Sequence, residues 1–118
     1  VLDATTTDAT PVVMTIKPGS GAMTLVDNST WFFDAMVVGK KQSSSNSIAI
    51  KLQGAVTRSG AGATILGGVL NLIIYDPSLG SWNASATVAG NNLQITVDGD
   101  FGVVLEWSAH VRTTEVQD

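Results

Sequence analysis

Glu106, Ser108 and His110 supply the three residue types of a hydrolase triad within five positions, and His110 is the chain's single histidine. The apolar residues Leu105, Trp107, Ala109 and Val111 alternate with them, which predicts one β-strand with the three polar side chains on one face. On such a strand residues i, i+2 and i+4 stand ~6–7 Å apart and parallel, whereas a nucleophile, base and orienting acid must converge within hydrogen-bond reach. There is no G-x-S-x-G turn to present the serine. An exposed polar strand face is therefore the plainer reading, and no catalytic residue is expected.

Other candidates are thinner. A lone His with no Cys excludes the common zinc sites. Asp98-Gly99-Asp100 could offer two carboxylates to calcium, but the remaining ligands of a Ca²⁺ loop are missing, and Asp around Gly is an ordinary turn. No cofactor is expected. Asp34, inside the apolar run Trp31-Phe32-Phe33-Asp34-Ala35-Met36, reads either as a perturbed acid or as an interface carboxylate. Trp31, Trp82 and Trp107 could stack on sugars, yet Trp82 and Trp107 lie in register with the apolar residues of their strands and so belong to the core. Gly60-Ala61-Gly62 leads into a strand, where no helix N-terminus could cradle a phosphate.

The elements that must position these residues are strands. Val, Ile and Thr make up 34 of the 118 residues, and charged residues only 14%. β-Branched side chains stiffen χ1 and favour pleated sheets, while a charge content well below ~25% is unusual for a soluble domain. Coiled coils, helix bundles, disulfide scaffolds and charged disordered tails need other compositions. A net charge of −4, with Lys40-Lys41 as the only adjacent basic pair, argues against a nucleic-acid partner. Residues 1–10 show no secretory leader, and the longest apolar tract, residues 63–75, is broken by Gly67, Gly68 and Asn71. No membrane partner is expected.

Period-two alternation runs through Ile48, Ile50, Leu52, Gly54 and Val56, then Trp82, Ala84, Ala86 and Val88, then Leu93, Ile95 and Val97. Residues 31–38 and 65–75 are apolar on both faces, as in central strands or strands packed on another subunit. Further strands are expected over residues 12–17 and 22–26. Turns are expected at Pro18-Gly19-Ser20-Gly21, at Asp76-Pro77-Ser78 and at Gly90-Asn91, which has two-residue hairpin chemistry. The expectation is a single all-β domain over residues 1–118, an antiparallel β-sandwich or jelly roll of about eight strands, with residues 1–10 as an extended N-terminal arm.

Two end segments, residues 5–11 (TTTDATP) and 107–116 (WSAHVRTTEV), resemble a β-rich module of bacteriophage virion proteins found in tail fibres and related head or tail surface proteins. Between them, a strand ending in Lys40-Lys41, a polar loop and the alternating strand of residues 47–56 follow in the same order. The resemblance implies a non-enzymatic part of the phage particle surface, assembled as a homotrimer with other phage structural proteins and located on the virion. It leaves open a tail fibre, a capsid decoration or cement protein, or a receptor- or carbohydrate-binding module touching a host glycan. The residues expected to meet a receptor or partner are Lys40, Lys41, Ser43, Ser44 and Ser45.

Overall fold

A computed structural model describes residues 2–16, 22–75 and 82–117, with the side chains of Thr15, Ile16 and Tyr75 outside the description. The turns expected at Pro18–Gly21 and Asp76–Ser78 lie outside the described residues. Within them the chain is all-β. The strands are β1 (Leu2–Thr6), β2 (Val12–Val13), β3 (Thr15–Ile16), β4 (Met23–Thr24) and β5 (Ser29–Lys41), followed by β6 (Ser47–Arg58), β7 (Ala63–Tyr75), β8 (Asn83–Ala89), β9 (Asn92–Asp98) and β10 (Leu105–Gln117). Among the described residues the expected eight become ten, because β1 is added and the strand expected over residues 12–17 divides into β2 and β3.

They form two antiparallel sheets packed as a sandwich. The larger has the order β3-β1-β10-β5-β6-β7. In the smaller, β9 pairs with β8 along one edge and with β2 and β4 along the other. The alternation decides which face each strand buries. Phe33, Ala35 and Val37 from β5, Ile48, Ile50, Leu52 and Val56 from β6, and Leu105, Trp107 and Ala109 from β10 point inward. They meet Ala84, Ala86, Leu93, Ile95 and Val97 of the smaller sheet in one buried cluster. Burying one such side chain fully is worth ~1.5–3 kcal/mol, so the period-two pattern is strongly selected over a one-residue slip.

Several expectations are corrected. Within the expected arm, Leu2–Thr6 are part of the larger sheet: β1 pairs with β10 from Leu2↔Ala109 to Thr6↔Leu105, and the indole Nε1 of Trp107 donates to the buried Thr6 Oγ1 at 3.0 Å. Residues 12–16 of the strand expected over 12–17 are not one strand. The chain leaves the smaller sheet after Val13 and joins the larger at Thr15, with Met14 buried at the crossing and its N–H donating to Ile95 O at 2.8 Å. The Gly90-Asn91 hairpin is present, with Ala89 opposite Asn92 and Gly90 at φ +57, a left-handed value that glycine adopts without strain. β7 is an edge strand whose register shifts twice against β6, and Gly67 at φ +70 lies between the residues flanking one shift.

Candidate functional site

The residues with possible chemistry are scattered by the fold, and one surface collects several of them. Glu106, Ser108 and His110 are exposed in a line on β10, opposite Lys40, Val38 and Met36 of β5. Each faces a different partner residue, so the triad reading fails on geometry. Trp31, Trp82 and Trp107 are 7%, 6% and 2% exposed, which removes them as a sugar-stacking platform. Asp98 is half-buried with its Oδ1 unpartnered among the described residues. Burial pushes its carboxyl above the ordinary value of 3.8, against the Asn83 backbone N–H that lowers it and with a smaller upward push from Asp100. Among the described residues no group of three or more His, Cys, Asp or Glu side chains is placed to hold a metal ion.

The loop candidates sit at one end of the β5–β6 hairpin. Lys40 lies on the outward face of β5 and Lys41 ends the strand, its N–H donating to Asn46 O at 2.9 Å. Ser43 takes a φ of +58, and Ser44 Oγ accepts from the Asn46 N–H at 3.1 Å, the local bonding by which hydroxyl side chains shape turns. Gln42 N–H donates to Val104 O at 3.0 Å, tying the loop to the segment before β10. Ser43 and Ser45 are exposed, while Ser44 is half-buried.

The collecting surface is the outer face of the larger sheet. Cross-strand register sets its rows. Glu106 stands beside Lys40, and Ser108 beside Val38 and Ala49. His110 stands beside Met36, Lys51 and Leu72, and Arg112 beside Asp34, Gln53 and Leu70. Thr114 stands beside Phe32, Ala55 and Leu66. Phe32, Met36, Val38, Leu66, Leu70 and Leu72 remain 46–52% exposed. A groove lined by Met36, Val38, Ala49, Lys51 and Ile74 runs among them. A soluble monomer seldom exposes a contiguous apolar patch beyond a few hundred Å².

An ion pair interrupts the face. Arg112 Nη2 donates to Asp34 Oδ2 at 3.0 Å; the arginine side chain is 64% exposed, whereas Asp34 as a residue is 8% exposed. Neighbours on the pleat cover the shorter acid and leave the guanidinium's other donors in water. Sequence reasoning singled out Asp34 but missed Arg112. Both occupy outward positions of their strands, yet nothing local says that positions 34 and 112 face one another.

Fold and surface together define an all-β sandwich of two antiparallel sheets, one of which leaves an apolar outer face uncovered. Compared with family models, with curated proteins and with solved structures, the chain matches none.

Proposed function

We propose that this chain is a non-enzymatic structural module of a bacteriophage virion, part of a tail fibre or of the particle surface, which works by associating with copies of itself. The observation that carries the reading is the apolar outer face of the larger sheet, whose large side chains stay about half exposed in a single chain. The two end segments that resemble phage surface modules, residues 5–11 and 107–116, support it from the sequence. Both lie on or beside the paired strands β1 and β10, so the resemblance rests on framework residues. The resemblance adds three copies per assembly as the expected number.

A receptor-binding role is the second reading, favoured by the exposed Ser43 and Ser45 on the β5–β6 hairpin beside Lys40 and Lys41. The two readings share a location. Antibody raised against the purified chain should label intact particles of the phage that encodes it, on the fibres or on the capsid. Particles that stay unlabelled while the antigen remains in the soluble lysate would overturn the virion assignment.

A further inference from the structure

Two rows of the outer face pair an acid with a base across β10 and β5, and they run in opposite senses. In one, the acid Glu106 lies on β10 and the base Lys40 on β5; in the other, the base Arg112 lies on β10 and the acid Asp34 on β5. Between them lie Val38 with Ser108 and Met36 with His110. Placing a second copy face to face, related by a two-fold axis across the strands midway between these two central rows, sets each strand over its own mate, antiparallel. Lys40 then stands over the partner's Asp34, Glu106 over the partner's Arg112, and Val38 over the partner's Met36.

We infer that the outer face of the larger sheet packs on a second copy of this chain in this two-fold arrangement. The inference rests on the self-association reading and names the surface and its register. Sheets pack face to face about 10 Å apart, a spacing that side chains of both copies fill. Overlap of nine residues on each of four strands covers roughly 550 Å² per copy at ~3.3 Å rise and ~4.8 Å strand spacing. The pair then buries about 1,100 Å², above the ~1,000 Å² that a specific interface clears. Met36, Val38, Leu72 and Ile74 give its centre an apolar patch beside Lys51 and His110, and the rows on either side carry the paired charges. The reversed rows make the face complementary to itself, and the mixed signs fit a copy of this chain better than a polyanion. An isologous contact joins copies in twos, so a ring of three would use another surface.

Two residues that stand six positions apart on β10, about 20 Å in one chain, act independently unless they meet between chains. The test is a double-mutant cycle of Glu106→Gln and Arg112→Gln on the dissociation constant by sedimentation equilibrium, with Met36→Lys alongside. Met36 is exposed in the single chain, so its replacement leaves the core intact. The contact predicts at least tenfold weaker association for Met36→Lys. It also predicts a double variant about three- to tenfold tighter than independent effects would give. Wild type that is monomeric at micromolar concentration removes both the contact and the self-association reading. An assembly that withstands Met36→Lys, or additive charge effects, overturns this contact and leaves self-association through another surface standing.

Discussion

The six-membered ring of Trp107 lies across the backbone of Gly39: a Cβ at position 39 would stand 2.6 Å from Trp107 Cζ3 and 2.7 Å from Cε3. The two residues are opposite one another in the β10–β5 register. The glycine makes room for the indole between the sheets, where it is held by the bond from its Nε1 to Thr6.

Gly39→Ala therefore forces a packed tryptophan to move. A loss of about 1–3 kcal/mol is expected from overpacking, read by urea denaturation. Gly68→Ala, where an added Cβ meets nothing within 4 Å, should stay within about 0.5 kcal/mol of wild type.

Thr6→Val keeps the shape of the side chain and removes the acceptor for a buried indole N–H. A loss of about 1–3 kcal/mol is expected, the cost of an unsatisfied buried donor. The same variant tests whether β1 belongs to the sheet. An arm in solvent would tolerate the change without measurable effect.

Asp98 gives a pH dependence of defined sign. Its carboxyl holds a proton in the folded chain at pH values where the unfolded chain has released it, because burial outweighs the Asn83 N–H and Asp100 adds to the shift. The folded state thus binds more protons in the window above 3.8, and the contribution of this group to stability falls as pH rises through it. Asp98→Asn is expected to unfold at higher temperature than wild type at pH 7, with the difference shrinking as the pH approaches 3.8. A difference that grows on acidification would contradict the assignment.

His110 is exposed on the outer face and faces Met36. His110→Ala should leave stability within about 0.5 kcal/mol of wild type. Turnover of a surface polysaccharide by the purified chain, lost in that variant, would refute the non-enzymatic reading.

Local pattern carried much of the fold. The faces of β6, β8, β9 and β10 follow directly from alternation, and the Gly90-Asn91 turn follows from its chemistry. The three tryptophans fall in the core, with Trp82 and Trp107 placed there by their phase. What local pattern could not carry is pairing across distance. β1 meets β10 more than a hundred residues later, as Leu2 opposite Ala109 shows. The sheet crossing at Met14 leaves two-residue strands too short to show a period. The same limit applies to the candidate surface. Residues 31–38 and 65–75 read as apolar on both faces, but the rows that set Arg112 beside Asp34 and Glu106 beside Lys40 exist only once the register is known.

The central claim is that the outer face of the larger sheet is an interface between copies of this 12.2 kDa chain. Light scattering on the purified protein at micromolar concentration tests it most directly, comparing wild type with Met36→Lys. The account predicts a multiple of the chain mass for wild type and a lower mass for the variant at the same concentration. A wild-type mass of one chain, or an unchanged multiple in the variant, would contradict it.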